Sequence, residues 1–163
     1  MIGGISKKEV EFISELEFNK KYFFTRKDIR KYFTSEQEIG VYLYRMKKKG
    51  RIEKISRSKY YLIPIKALKG KWTEHAFIVV DEIFDGKNYF IGGKSAAHYW
   101  HLIDQIPFTI EIFTPNRQGT RNILGIDFKF IRIQKNKKIK TIIKKMENHP
   151  FIIATKEESK QWI

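Results

Sequence analysis

One stretch, residues 35–62, constrains the fold of this chain more than any other. It opens with Ser35, and Glu38 follows three residues later, which is the spacing of a capping box at a helix start. The next apolar residues recur at helical spacing and predict one buried face: Ile39, Tyr42, Leu43 and Met46. Gly50 favours the end of this helix. The alternating residues that follow predict a short β-hairpin that turns at Ser56–Lys59.

Two further capped helices are predicted before this stretch. A Ser-x-x-Glu pattern begins a helix over residues 6–18, on which we expect Val10, Ile13 and Leu16 to face inward. A Thr-x-x-Asp pattern begins a shorter helix over residues 25–33, and a very short turn leads from it into the next helix. Three helices, a tight turn between the last two and a hairpin make up a winged helix-turn-helix.

Positive charge is concentrated in the same part of the chain. The 163 residues include 33 Lys and Arg against 18 Asp and Glu, a net charge of +15. Fourteen basic and four acidic residues lie from Lys20 to Lys59, so +10 of the +15 falls there. Such a field attracts a polyanion and speeds its encounter. A composition rich in Lys and Ile also arises in A·T-rich genomes and in thermophiles, but this explains the total charge better than its clustering.

The predicted helix after Ser35 has a second, exposed face that fits DNA. In a helix-turn-helix, the N-terminal half of the second helix offers its side chains to base edges in the major groove. The predicted base-contacting residues are Ser35, Gln37, Val41, Tyr44 and Arg45. Gln pairs with adenine, Arg pairs with guanine, and Val contacts a thymine methyl. The alternative is a solvated face on a winged helix that binds protein.

Basic residues around this face are predicted to contact the DNA backbone. Those expected at phosphates are Arg26, Lys27, Arg30, Lys31 and Lys48, with Lys47 and Lys49 beside the last. Arg57 and Lys59 are placed at the tip of the hairpin, where they would lie along the flanking backbone or reach into the minor groove.

The rest of the chain predicts a mixed α/β region. We expect a linker at residues 65–72 and a helix at Thr73–Phe84, with a strand as the alternative because the segment is rich in β-branched residues. Four segments alternate as strands: residues 89–91, 108–114, 127–134 and 151–154. Ser95 is expected to cap a helix. The fold class is therefore α+β, with a winged helix-turn-helix at residues 1–64. A mixed α/β domain at residues 65–163 would serve partner contact, oligomerisation or additional DNA contact.

Two segments carry a family resemblance: LYRMKKKGRIEKISRSKYYLIP (residues 43–64) and YFIGGKSAAHYWHLIDQIPFTIEIFTP (residues 89–115). The second contains a strand at Tyr89–Gly92, a helix start at Lys94–Ala97 and the step Gln105-Ile106-Pro107. Together the segments resemble the AbiEi-type antitoxins, which are transcriptional regulators of type IV toxin–antitoxin systems. The resemblance implies repression of the protein's own operon and a nucleotidyltransferase-like toxin as partner. Members of that family usually continue further, so this chain is either shortened or a short member.

Other chemistries have weaker patterns. Glu111, followed by Asp127 and Lys129 on a later strand, resembles the acidic-x-Lys site of Mg²⁺-dependent nucleases. His98 and His101 are three residues apart on a predicted helix, without a further ligand at a telling spacing. Ser95 has no evident base partner. The sequence contains no P-loop, no Gly-rich nucleotide fingerprint and no Cys/His zinc pattern.

These observations lead to one main expectation. We expect a cytoplasmic repressor that binds double-stranded operator DNA, with no enzymatic activity, no cofactor and no metal. The chain has no cysteine, no signal peptide and no apolar run near the roughly 18 residues that span a membrane, so no membrane contact is expected. A homodimer is left open, as are the operator sequence and any effector. A Mg²⁺-dependent nuclease, a non-specific nucleic-acid binder and a pure protein-interaction module are the alternatives.

Overall fold

A computed structural model of the protein describes residues 4–64 and 74–163, and these form an α+β fold with two β-sheets. The chain divides into two compact units, Met1–Trp72 and Thr73–Ile163. The predicted linker at residues 65–72 lies outside the described residues, and the predicted boundary after residue 64 falls at their edge.

The first unit combines short helices with a three-stranded antiparallel sheet, in the strand order β1-β3-β2. Its elements are α1 (Lys7–Phe18), β1 (Phe23–Thr25), α2 (Arg26–Ile29) with a following 3-10 turn (Arg30–Tyr32), α3 (Glu36–Lys48), β2 (Ile52–Lys54) and β3 (Lys59–Leu62). The second predicted helix is thus only one α-helical turn and a 3-10 turn. The strand β1, which the sequence did not predict, pairs with β3 through Phe24 and Tyr60.

The predicted capping box of α1 is confirmed. The hydroxyl of Ser6 accepts a hydrogen bond from the backbone N–H of Glu9 at 3.2 Å, and the Glu9 carboxylate accepts one from the N–H of Ser6 at 2.6 Å. Ile13 and Leu16 are buried as expected, but Val10 is 49% exposed, so its inward placement was wrong. The buried stripe of the helix runs through Glu9 and Phe12 instead, and Val10 lies to one side of it.

The core of the first unit is aromatic and aliphatic. Phe12 packs against Phe33 with ring centroids 5.8 Å apart, and Phe24 stacks on Tyr60 at 5.7 Å. The buried cluster that joins α1, α3 and the sheet consists of Phe12, Ile13, Leu16, Phe24, Ile29, Ile39, Leu43, Met46, Ile52, Tyr60 and Leu62. This burial fixes which face of α3 points inward.

The second unit is built on a six-stranded mixed sheet with the strand order β6-β7-β5-β4-β9-β8. Its elements are α4 (Ala76–Phe84), β4 (Phe90–Ile91), α5 (Gly93–Tyr99), β5 (Ile110–Thr114), β6 (Gly119–Ile123), β7 (Ile126–Arg132), β8 (Thr141–Met146), β9 (His149–Ala154), α6 (Lys156–Ser159) and a 3-10 turn (Lys160–Trp162). The helical alternative for the segment that ends at Phe84 is confirmed. The four predicted strands are present with shifted ends.

Two local predictions in this unit were wrong or incomplete. Gly92, not Ser95, is the N-cap of α5, and Ser95 lies inside the helix. Its hydroxyl accepts a hydrogen bond from the N–H of Glu111 at 2.9 Å and donates one to the carbonyl of Thr109 at 3.3 Å, which ties α5 to β5. The strand β6 was missed because four of its five residues are exposed and carry no apolar alternation.

A buried polar cluster lies between α4 and the sheet. The phenol of Tyr89 donates a hydrogen bond to the Asp81 carboxylate at 2.7 Å and accepts one from the N–H of Ile152 at 3.0 Å. The Nε2 atom of His149 lies 2.9 Å from the other Asp81 oxygen. Burial and the bond to Asp81 raise the pKa of Tyr89 above its ordinary value, so the phenol stays a hydrogen-bond donor.

Candidate nucleic-acid interface

The first turn of α3 is fixed by side-chain caps. The Ser35 hydroxyl accepts a hydrogen bond from the N–H of Glu38 at 3.1 Å. In a full capping box the Glu38 carboxylate would accept a hydrogen bond from the backbone N–H of Ser35. Here it accepts hydrogen bonds from the N–H of Thr34 at 2.9 Å and from the Thr34 hydroxyl at 2.7 Å. Lys8 of α1 also pairs with Glu38. The hydrogen bonds from Lys8 and Thr34 lower the pKa of Glu38 to about 2, so this cap is charged at neutral pH.

Beyond this turn, α3 has two distinct faces. Ile39, Leu43 and Met46 are buried, and Tyr42 is half-buried against Phe33 with ring centroids 4.9 Å apart. The opposite face is exposed and consists of Gln37, Val41, Tyr44, Arg45 and Lys48, with Ser35 exposed at the helix start. We call this set the outer face of α3.

The outer face mixes apolar and cationic groups. Val41 is 43% exposed and Tyr44 is 59% exposed. The Lys48 ammonium lies 4.8 Å from the centre of the Tyr44 ring, and the hydrogen bond that it donates to the Tyr44 side chain raises the pKa of Lys48. Arg45 lies over the ring of Tyr42 at 5.9 Å. Cation–π contacts of this kind contribute about 0.5–1 kcal/mol at exposed sites and favour these positions of the two cations.

Arg26 and Arg30 are brought to the first turn of α3 by a shared carboxylate. Glu36 lies 2.5 Å from Nη2 of Arg30 and 3.7 Å from Nη1 of Arg26. All three side chains are exposed, so the pairs are screened by solvent and exchange readily with another anion. One carboxylate offsets one of the two positive charges, so the cluster keeps a net positive charge.

The other predicted phosphate contacts are not all gathered here. Lys27 is exposed, but Lys31 pairs with Glu15 and lies over the ring of Tyr32, so its charge is directed toward α1. Lys49, which was grouped with the phosphate contacts, points toward α1. Its ammonium turns inward to Glu9, which is buried, and lies 3.2 Å from one carboxylate oxygen.

The hairpin presents fewer cations at its tip than expected. Arg57 is exposed in the turn, but Lys59 is the half-buried first residue of β3 and pairs in register with Thr25. Its placement at the tip was therefore wrong, because the N–H of Ile55 already closes the turn on the Lys59 carbonyl at 3.0 Å. Lys54, which sequence reasoning missed, is exposed on β2 with its ammonium 5.9 Å from the centre of the Tyr60 ring.

A glycine in α3 was also missed. Gly40 lies in the helix interior, one turn from Gln37 and one turn from Tyr44. Glycine in a helix interior costs about 1 kcal/mol relative to alanine. A methyl group at this position would meet only Arg26, whose Nη2 and Nη1 atoms lie at 3.7 and 3.9 Å, which are ordinary contact distances.

The residues of the nuclease alternative are partly brought together. Glu111 and Lys129 are paired in the adjacent parallel strands β5 and β7 and line a cavity of about 240 Å³. Asp127 does not line this cavity, and its carboxylate accepts a hydrogen bond from the Asn122 amide at 2.8 Å. The Glu111 carboxylate is itself occupied by the N–H of Lys94 at 2.6 Å.

Metal-ligand geometry is not found in residues 4–64 and 74–163. No group of three or more His, Cys, Asp or Glu side chains there is arranged to hold a metal ion. His98 belongs to α5, but His101 follows its end with a left-handed φ of 57°, so the two imidazoles do not share a helical face. None of the described helices has the length and apolar character needed to cross a membrane.

Comparison with known proteins gives a similarity of fold. No protein-family model and no curated protein matches the chain. The structure is similar to the crystal structure of the RV2827C protein from Mycobacterium tuberculosis, with a TM-score of 0.51 and 14% sequence identity over 80% of this chain. The chain spans about half, 47%, of the length of that protein. At this identity the similarity concerns the fold alone, and membership of the AbiEi-type antitoxins stays a prediction.

Proposed function

We propose that the first unit is a winged helix-turn-helix domain that binds double-stranded DNA in a sequence-specific manner. In this proposal α2 and α3 are the helix-turn-helix, α3 is the recognition helix, and the β2–β3 hairpin is the wing. The observation that carries it is the outer face of α3, which is exposed along its length while the opposite face is buried. It combines the amide, apolar and guanidinium groups that read base edges.

The surroundings of this face support backbone binding. Arg26 and Arg30 pair with Glu36 in the first turn of α3, Lys27 is exposed on α2, and Lys48 lies near the end of α3. Phosphates would compete with Glu36 for the two guanidinium groups, because the exposed ion pairs contribute little stability by themselves. Neutralising phosphates supplies affinity for any sequence, and the outer face adds preference for one.

The resemblance to the AbiEi-type antitoxins extends the proposal to regulation. The protein would occupy the operator of its own operon and exclude RNA polymerase. The second unit would contact a nucleotidyltransferase-like toxin or a second copy of the chain. The competing functions are non-specific nucleic-acid binding, a protein-only interface and a Mg²⁺-dependent nuclease. DNA cleavage that is lost in the Asp127→Ala variant would identify the nuclease.

Site-specific crosslinking tests whether the outer face of α3 touches DNA. The photoreactive residue benzoylphenylalanine would replace Tyr44 in one variant and Phe108, which is 93% exposed in the second unit, in the other. Both positions hold exposed aromatic rings, so the variants are matched in chemistry, and the control position is the more exposed of the two. We expect duplex DNA to crosslink to position 44 and not to position 108. Crosslinking at 108 alone, or at neither position, would contradict the proposal.

A further inference from the structure

A cavity of about 510 Å³ lies in the second unit, next to the segment that joins β7 to β8. Three strands separate β7 from β8 in the sheet order, so this crossing segment, residues 133–140, has to cross the sheet to reach its far edge. The cavity is lined both by residues of the crossing segment and by residues of β4, β5, β8 and β9. Its volume falls within the range of small-molecule sites, about 300–1,000 Å³.

The sheet contributes aromatic and aliphatic side chains to this cavity. Phe90 of β4 and Phe113 of β5 are opposite each other in register, and their rings stack with centroids 5.1 Å apart and an angle of 6° between the planes. Ile152 of β9 also lines the cavity. These rings favour a ligand with a ring of its own, because aromatic rings pack against each other in offset-stacked or edge-to-face pairs.

The crossing segment contributes positive charge. Lys135 and Lys137 are exposed and line the cavity, together with the half-buried Ile139. None of the described residues that line it is Asp or Glu, so no carboxylate of the lining competes for the two ammonium groups. Lysine ammonium groups donate charge-assisted hydrogen bonds to the oxygens of carboxylates, sulfonates and phosphates. The lining therefore favours an anion.

We propose that this cavity binds a small organic anion that consists of an aromatic ring system and one acidic group. The ring system packs against Phe90 and Phe113, and the acidic group pairs with Lys135 and Lys137. Ligand sites in proteins commonly have this composition, a mostly apolar lining with a few polar groups that fix the orientation. The cavity lies within the second unit, so the inference goes beyond the proposed DNA binding and does not depend on it.

Two fluorescent probes of nearly the same shape test the site in the full chain. The compound 8-anilinonaphthalene-1-sulfonate is an aromatic anion, and N-phenyl-1-naphthylamine is the same molecule without the sulfonate. Both become brighter in an apolar site, so a titration gives a Kd for each. We expect saturable binding of the sulfonate probe, with one molecule bound per chain and an affinity that falls as salt is added, because the two lysines are exposed.

Two double variants separate the lysines that line the cavity from general charge. Lys135→Met/Lys137→Met removes the two ammonium groups of the lining, whereas Lys138→Met/Lys140→Met removes two exposed ones of the same segment that do not line it. The first variant should raise the Kd of the sulfonate probe about five- to tenfold and change the Kd of the neutral probe less than about twofold. The second has the same net charge and should leave both Kd values within about twofold of wild type.

Thr141→Trp tests whether the probes occupy the cavity. Thr141 is an exposed residue of β8 that lines it, so an indole there takes up part of its volume. Both probes should lose most of their affinity, while circular dichroism shows that the variant is folded. If this variant does not fold, the two double variants still decide, because all four of their lysines are exposed.

The results that would overturn the inference are distinct. Absence of saturable binding of the sulfonate probe overturns it. Equal losses in the two double variants also overturn it, because they would reflect general attraction to a basic segment. A neutral probe that loses as much affinity as the sulfonate probe in Lys135→Met/Lys137→Met would do the same, because the lysines would then act through shape and not through charge.

Competition assigns the kind of acidic group. The compounds 1-naphthoate and 1-naphthyl phosphate share one ring system and differ in the acidic group, which is a carboxylate or a phosphate. We expect at least one of them to displace the sulfonate probe, and the stronger competitor identifies the acidic group that the site prefers. Displacement by neither would overturn the inference. A single-stranded oligonucleotide that displaces the probe in their place would assign the cavity to nucleic acid.

Discussion

The carboxylate of Glu36 lies 2.5 Å from the guanidinium of Arg30, at the first turn of the proposed recognition helix. Arg26 approaches the same carboxylate at 3.7 Å. An acidic group beside two arginines opposes the approach of DNA, since it repels phosphates and competes for the cations that would bind them. It also interacts favourably with the N-terminal end of the helix dipole, which accounts for its place at the helix start.

Glu36→Gln should therefore strengthen DNA binding. Loss of one negative charge near the phosphates and release of Arg26 and Arg30 should lower the Kd for any duplex about three- to tenfold at low salt. Glu11→Gln, at an exposed position of α1, removes the same charge elsewhere and is the control. Fluorescence anisotropy titrations measure the Kd of both variants. Unchanged affinity in Glu36→Gln would show that DNA does not approach this turn.

Arg45 and Lys48 should differ in what they contribute to binding. For a duplex that the wild-type protein selects from a randomised pool, Arg45→Ala should weaken binding by about 1–3 kcal/mol, but it should affect a scrambled duplex little, because a guanidinium pairs with a particular base. Lys48→Ala should weaken binding to both duplexes alike and reduce the slope of log K against log salt by about one. Lys156→Ala, an exposed cation of the second unit, is the control for net charge. Equal losses on both duplexes for both variants would refute the assignment of base and phosphate contacts.

Lys49 should contribute to the stability of the first unit. Burial by itself raises the pKa of Glu9, but the N–H of Ser6 and the ammonium of Lys49 outweigh this and hold the pKa below its ordinary value. Lys49→Met keeps the apolar stem and leaves a buried carboxylate without its cation, so we expect the first unit to lose about 1–3 kcal/mol of stability at pH 7. Lys47→Met, at an exposed neighbouring position, should change stability by less than about 0.5 kcal/mol.

The loss of stability in Lys49→Met should be smaller at low pH than at neutral pH. The pKa of Glu9 is lower in the folded than in the unfolded chain. The stability this provides is present above the unfolded carboxyl pKa of about 4.3 and disappears as the pH falls through the folded pKa. The difference between wild type and Lys49→Met should thus shrink as the pH falls below about 5, as followed by urea unfolding with circular dichroism. A difference that does not vary with pH would show that Glu9 is not the partner that matters.

Tyr89→Phe should destabilise the second unit. The substitution removes the hydroxyl that donates to Asp81 and accepts from the N–H of Ile152, so one oxygen of the buried Asp81 carboxylate and the N–H of Ile152 lose this partner. We expect a loss of about 1–3 kcal/mol. Two of the three tryptophans, Trp100 and Trp162, lie in this unit, so their fluorescence follows its unfolding. Tyr44→Phe, which removes an exposed phenol, should leave the unfolding midpoint within error.

Local patterns were sufficient to predict most of the helices. The capping residues and apolar spacing predicted α1 and the beginning of α3, and the inward positions of α3 were predicted because one helical period fixes them together. The α+β class followed from the alternation of helical and strand patterns. The strand β1 could not be predicted in this way, because its three residues are held by pairing with β3, which depends on the tertiary fold.

The candidate site was harder to predict because the sequence shows which residues are charged but not the direction in which their side chains point. Lys49 follows two exposed lysines, yet it turns inward to Glu9, forty residues away in the chain. Lys59 was expected at a hairpin tip and lies in a strand. The pairing of Glu36 with Arg26 and Arg30 also joins separate helices and had no signal in local spacing. Gly40 had a signal, a glycine within a helical pattern, but its place beside the Arg26 guanidinium had none.

The most direct test of sequence-specific DNA binding is the ratio of two dissociation constants. The Kd of the full chain would be measured by fluorescence anisotropy for the duplex selected from a randomised pool and for a scrambled duplex, at about 150 mM salt. The account predicts that selected DNA binds tighter by a factor of about 10³ or more, as specific binding requires. A ratio near one, with affinity that falls steeply as salt is added, would contradict it and leave only a general electrostatic grip on nucleic acid.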